Sequence, residues 1–134
     1  EGTFLWCRYL KVTMTEWNPY NAACPTRMAL DQVGNKWSVL ILGLLAEETH
    51  RFNQLRRKID GISQKMLTQT LRELERNGLV SRAVFATVPV TVEYSLTPLG
   101  RTLENAVAPL RDWAETHIEQ VLAARSEFDG KPSP

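Results

Sequence analysis

The stretch from Gly61 to Gly78, GISQKMLTQTLRELERNG, constrains the fold more than any other. It has the start, the stop and the period of one amphipathic helix. Ser63 suits the N-cap, because its hydroxyl can accept from an otherwise unpaired N–H of the first turn. Gly78 suits the exit, since it can take the left-handed conformation that closes a helix. Leu67, Leu71 and Leu74 recur at i, i+4 and i+7 and form one apolar stripe. At ~100° per residue, Lys65, Thr68, Gln69, Arg72 and Arg76 fall on the opposite side. That face carries donors and cations. A helix of this kind can bury its leucines in a small domain and set its other side in a DNA major groove. Taken alone, such a face is most often simply solvated, so the rest of the chain has to carry the argument.

The flanking pattern extends it. Phe52, Leu55 and Ile59 read as the core contacts of a short helix from Phe52 or Asn53 to Ile59, with Arg56, Arg57 and Lys58 outward, there either to touch backbone phosphate or only to keep a face wet. Asp60-Gly61-Ile62 reads as a tight turn. Two helices joined by a short turn containing Gly form the helix-turn-helix pattern. Upstream, Thr26 is expected to cap a helix from Arg27 to Val33, and Asn35 another from Lys36 to about Ala46. The latter is apolar nearly all round, so it is expected to be central, with Trp37, Leu40, Ile41, Leu44 and Leu45 as its period. Downstream, residues 79–87 and 90–96 turn to β-branched and aromatic residues and predict a hairpin with Val88-Pro89 at its tip. His50-Arg51-Phe52 is a link that can pair with it. Helices followed by this hairpin predict a mainly α protein with a small β wing, a winged helix-turn-helix.

Thr97-Pro98 opens the last helix, for Pro at the first turn lacks only an N–H that would go unpaired. Leu99, Leu103, Ala106, Leu110, Trp113 and His117 follow at spacings of 4, 3, 4, 3 and 4, a two-per-heptad seam. Pro109 is expected to kink it locally. A seam of this length is available to a partner, most simply a second copy of the chain. The expected organisation is an arm over residues 1–22, a winged-helix domain over 23–124 that includes the seam helix 97–124, and a loose tail over 125–134; residues 15–25 read as extended by Pro19 and Pro25, with turn character from Asn18 and Asn21. The first residue is not Met, Met14 is a natural initiator, and residues 1–13 are assigned no function.

Charge is informative in its placement. The net charge is only +1, yet residues 51–82 hold eight Lys/Arg against three acids, a local +5, and the other eight cations and twelve acids leave −4 elsewhere. A single basic block can hold phosphate there and repel it elsewhere. No apolar run is long enough to span a membrane. Cys7 and Cys24 make no disulfide framework, and a reducing cytoplasm is the expected setting. His50 and His117 lack metal-ligand spacing to cysteines or carboxylates. No Gly-rich phosphate loop, paired-carboxylate motif or Ser/His/Asp order stands out, so neither a cofactor nor enzymatic catalysis is expected.

Three segments together are specific. CPTRMALDQVGNKWSVLILGLL, RFNQLRRKIDGISQKMLTQTLRELERNGLVSR and VEYSLTPLGRTL closely resemble the HxlR family of bacterial transcription regulators, winged-helix proteins related to the MarR group. The resemblance covers about residues 23–118. It implies a homodimer built from the Thr26–Val33 helix and the seam of Leu99, Leu103, Ala106, Leu110 and Trp113. It also implies a roughly two-fold double-stranded operator, read at Ser63, Gln64, Lys65, Thr68, Gln69 and Arg72. Some members respond to oxidants, electrophiles or other small molecules, and Cys24 matches the sensor thiol that some of them use. The departure is the wing: family wings often carry a basic tip such as Pro-Pro-Arg, whereas this one reads Val88-Pro89-Val90-Thr91. Arg82, at its base, is the candidate for phosphate that remains. A winged helix used only for protein contact is the alternative from another class. Affinity for duplex that falls steeply with salt separates the two.

Overall fold

The computed structural model describes residues 17–132; the expectations for residues 1–13 therefore lie outside the described residues. The chain divides into two compact units between Lys36 and Trp37.

In the first unit, residues 17–25 form successive turns: the turn character expected from the two Asn prevails over the extended arm expected from the prolines. The two Asn side chains are the cause. Asn18 Oδ1 accepts from the Tyr20 N–H and Asn21 Oδ1 from the Ala23 N–H, both at 3.0 Å. Each amide thereby mimics a backbone turn. Helix α1, Thr26–Gly34, follows. Pro25, not Thr26, holds the N-cap position, and no side chain caps the helix.

The second unit contains the helix-turn-helix and wing. Helix α2 is Lys36–Glu47, strand β1 His50–Arg51, helix α3 Phe52–Lys58, helix α4 Gln64–Arg76, strand β2 Val80–Phe85, strand β3 Thr91–Leu96, and helix α5 Pro98–Asp129. The strands form an antiparallel sheet in the order β1-β3-β2. Its core is made by Ile41, Leu42, Leu55, Leu67, Leu71, Leu74, Val80 and Val107, all essentially inaccessible to solvent.

Two expectations need correction. In α2 the buried residues are Ser38, Val39, Ile41, Leu42 and Leu45, while Leu40 is exposed. A helix that is apolar all round has little moment, so its period could not choose the inward face. At the other end, α5 continues to Asp129, so residues 125–129 are helical where a loose tail was expected. Residues SEFD contain neither Gly nor Pro, and the first Gly available to stop the helix is Gly130.

Helix α4 has the expected termini. Ser63 Oγ accepts from the Met66 N–H at 3.0 Å. At the exit, Gly78 has φ +76, its N–H reaches the Glu75 carbonyl and the Leu79 N–H reaches the Leu74 carbonyl. This 6→1 and 5→2 pair is the Schellman closure. Gly61, with φ +85, makes the preceding turn.

The start of α5 is locked onto that exit. The Thr97 hydroxyl donates to the Gly78 carbonyl at 2.6 Å and accepts from the Gly100 N–H at 2.9 Å, while the Thr97 N–H donates to the Leu79 carbonyl at 3.1 Å. Gly100 permits this approach: a Cβ there would sit 1.9 Å from the Leu79 oxygen.

Candidate nucleic-acid interface

Helix α4 is held by its apolar side. Leu67, Thr70, Leu71 and Leu74 are buried, and Thr70 removes its own polarity by donating to the Met66 carbonyl at 2.7 Å. Lys65, Thr68, Gln69, Arg72 and Arg76 are all exposed, as are Ser63 and Gln64 at the start of the helix. The surface named from the sequence is thus brought together on one side of α4 and is not covered by the second unit's own fold.

Local bonds decide what each group has left to offer. Among the described residues, Lys65, Gln69 and Arg72 have no side-chain hydrogen-bond or ion-pair partner, so their donors are free of them. Ser63 spends a lone pair on its cap and keeps its O–H. Thr68 donates to the Gln64 carbonyl at 2.8 Å. It therefore presents its methyl group and a remaining lone pair. Arg76 lies 3.5 Å from Glu73, an exposed and hence weak pair. Glu73 and Glu75 line a shallow depression with Gln69, Arg72 and Arg76, so the cationic strip has acids on its flanks towards the C-terminal end.

The wing is Val80–Phe85 paired with Thr91–Leu96 in the register Val80↔Leu96 to Phe85↔Thr91. Arg82 is exposed and stands opposite Tyr94, which in turn stands opposite His50 of β1. The tip is braced by the Thr87 hydroxyl, 2.7 Å from the Pro89 carbonyl and 3.0 Å from the Thr91 hydroxyl. Residues 86–91 hold no charged side chain, as the sequence indicated.

Buried polar contacts that sequence reasoning missed fix the scaffold. His50, read only as a link residue, is buried; its Nδ1 lies 2.8 Å from the Glu48 carbonyl and its Nε2 2.9 Å from Lys58 Nζ. The carbonyl accepts from Nδ1–H, which leaves Nε2 to accept from the lysine. Lys58 faces out as expected, but it is partnered, by His50 and by Glu48 at 3.8 Å. In α5, Arg111 makes a bidentate pair with Glu104 and also donates to the Val39 carbonyl of α2 at 2.9 Å. The pair is covered, with side-chain exposures of 23% for Arg111 and 8% for Glu104. The guanidinium lies against Gly43, within 3.0 Å of where a Cβ would be. Arg101 donates to the Ala46 carbonyl at 3.3 Å. Signals existed: a Gly inside an apolar helix, and Gly100, Glu104, Val107 and Arg111 at the seam's own spacing, offset by one residue.

The seam residues face outward. Leu99, Ala106, Leu110 and Trp113 are exposed and Leu103 is half-buried. Trp113 stacks on His117 with ring centroids 5.1 Å apart. Ile118, Leu122 and Phe128 extend the exposed apolar surface along the helix.

In the first unit, Cys24 is 9% exposed, with Sγ 3.2 Å from the Thr26 hydroxyl. Burial pushes its thiol up, but the Thr26 hydroxyl, the backbone of Thr26 and Asn18, and the Arg27 charge outweigh it, so the net shift is downward. Arg27 is held there by its Nε–H bond to the Pro19 carbonyl at 2.9 Å.

An alternation of helix, turn, exposed reading helix and hairpin over one core is a winged helix-turn-helix. The family model described as HxlR-like helix-turn-helix matches residues 32–122. The chain belongs to the HxlR-like helix-turn-helix family. Among relatives of this HxlR-like chain, YtfH of Escherichia coli (strain K12), named an HTH-type transcriptional regulator, is 48% identical over 118 residues, 88% of this chain and 94% of that one. The ytfH structure from Salmonella typhimurium superposes with a TM-score of 0.78 at 49% identity, covering 83% of this chain and 99% of that one. The redox regulator HypR in its reduced form superposes with a TM-score of 0.68 at 41% identity, covering 74% and 98%.

Proposed function

We propose that this helix-turn-helix transcription regulator works as a homodimer that reads a two-fold operator with one α4 helix per half-site. The observation that carries the reading is the two-sidedness of α4. Its leucines are fully buried, while Lys65, Gln69 and Arg72 stand exposed with no partner among the described residues. Lys65 and Arg72 suit guanine O6/N7, and Gln69 suits adenine. Ser63, Gln64 and the N–H groups at the start of α4 suit phosphate. Thr68, its proton committed to Gln64, is placed to offer its methyl to a thymine. Arg76 and Arg82 are assigned to phosphate, with Arg76 the weaker because of Glu73.

Support for the homodimer is the outward seam of Leu99, Leu103, Ala106, Leu110 and Trp113, with Leu110 at 48% and Trp113 at 54% exposure. An apolar stripe left open along a long helix favours pairing with its own copy. For the effector we infer an oxidant, an electrophile or another small molecule, with Cys24, set beside the Thr26 hydroxyl and Arg27, as the candidate sensor. The downward-shifted thiol supports that assignment.

Selection of genomic fragments by the purified protein tests the reading. One dimer per bound fragment is expected, with affinity that falls steeply with salt. Arg72→Ala should cost ~1–3 kcal/mol and relax specificity at one position of each half-site. Absence of affinity for any fragment overturns the DNA reading. Identical responses to mild oxidation in the parent and Cys24→Ser remove Cys24 as the switch.

A further inference from the structure

The wing tip has no cation, yet the surface beside it does. An open groove between the start of α3 and the far part of the wing is lined by Arg51, Asn53, Gln54 and Arg57 on one side and residues 89–92 on the other. We propose that this groove holds a backbone phosphate of the operator, in place of a contact from the wing tip. The inference rests on the DNA-binding reading and adds a site to it, outside the reading helix.

The groups are suited to an anion and are available. Arg57 is exposed and has no hydrogen-bond or ion-pair partner among the described residues. Arg51 is paired only loosely, 3.8 Å from Glu93, and its side chain is 60% exposed. Gln54 accepts from the Arg51 N–H through Oε1 at 2.7 Å, which leaves its amide N–H groups as donors. That bond also fixes the amide's orientation. Glu93 does not line the groove but is the acid paired with Arg51. It stands directly across the ladder from Arg51, so the one charge that would repel phosphate is already faced by a cation.

The register separates this site from Arg82. Arg51, Glu93 and Ala83 form one row across the sheet; His50, Tyr94 and Arg82 form the next. Successive residues of a strand project to opposite faces. Arg82 therefore leaves the sheet on the face away from Arg51. A hairpin lowered into a groove of the duplex has a phosphate chain on each side, so Arg82 and the Arg51/Arg57 groove would engage different ones.

The test is equilibrium binding by fluorescence anisotropy, with an operator-containing fragment and an unrelated duplex of equal length, over a range of salt. Arg57→Ala should weaken both by about tenfold and lower the salt slope by about 0.9 for each subunit on the duplex. Arg57→Lys should restore the slope, because it keeps the charge. Circular dichroism should be unchanged for both, as Arg57 is exposed and holds no hydrogen bond or ion pair among the described residues. The inference is overturned if Arg57→Ala and Arg51→Ala both keep the parent's slope, or if any loss is confined to particular base pairs. Where Arg72→Ala relaxes sequence preference and neither Arg57→Ala nor Arg51→Ala changes the slope, the groove assignment alone fails. If the parent binds neither duplex, both readings fail together.

Discussion

Replacing Gly100 by Ala should destabilise this protein, against what helix propensity says. Gly100 lies in the first turn of α5, where Ala is normally preferred by about 1 kcal/mol. The added Cβ, however, meets the Leu79 carbonyl oxygen at 1.9 Å and its carbon at 2.9 Å. An unstrained C···O contact is about 3.3 Å or more. The start of α5 must therefore retreat by more than about 1 Å, and the obstacle is backbone, which cannot rotate aside. Such a shift stretches the Thr97 N–H bond to Leu79 and the Thr97 hydroxyl bond to Gly78. At roughly 1 kcal/mol each, with about 1–3 kcal/mol for overpacking, the net loss is about 2–4 kcal/mol after the propensity gain. Urea unfolding at fixed protomer concentration should show the midpoint falling by about 1–2 M for a slope near 2 kcal/mol/M. Gly34→Ala is the matched control: nothing lies within 4 Å of its Cβ position, so it should be neutral or slightly stabilising. An unchanged or raised midpoint for Gly100→Ala would refute the close approach and the account of how α5 is anchored.

Arg111→Met should cost about 3–5 kcal/mol, because it leaves the covered Glu104 carboxylate unpaired. Glu104→Gln should cost less, since the amide oxygen can still accept and Arg111 keeps its Val39 partner; urea unfolding of the two variants checks the order. Trp113→Asp should raise the dimer dissociation constant at least about tenfold without unfolding the second unit, read by sedimentation with circular dichroism alongside. For Cys24, the thiolate is the reactive form and its folded pKa is lowered. Alkylation read at the Cys24 peptide should therefore reach half its plateau rate at lower pH in the native protein than in denaturant, where the midpoint is near ~8.5. Thr26→Val should move the native midpoint upward; equal midpoints in the native and denatured protein would contradict the assigned causes.

Elements whose signal is local were legible in the sequence. Ser63 and Gly78 bounded α4 because a cap and a left-handed exit are set by the residues that make them. Thr97-Pro98 placed the start of α5 for the same reason. The face of α2 was not legible, because an all-round apolar helix has no preferred side until its neighbours are in place. Nor were the roles of Glu104 and Arg111: on a helix of mixed charge, two more charges read as solvated surface. Their burial depends on Gly43 coming opposite them. Lys58 was grouped with Arg56 and Arg57 by sequence, and only the turn that brings His50 beside it distinguishes the three. Within the candidate site, Thr68 could be placed by period, but the direction of its hydroxyl follows from the helical carbonyl behind it.

The double use of α5 has a consequence for how the protein could evolve or be re-engineered. One stripe of the helix, Gly100, Glu104, Val107 and Arg111, is keyed to its own domain, and the stripe one residue away is open to a partner. Their angular offset is a property of the helical screw. An insertion of one residue after Arg111 would swing everything beyond it by ~100° while leaving the domain intact. On the proposed dimer, the two reading helices would then meet the duplex out of phase. Operator spacing would thus be written in the phase of a helix that need not touch DNA at all.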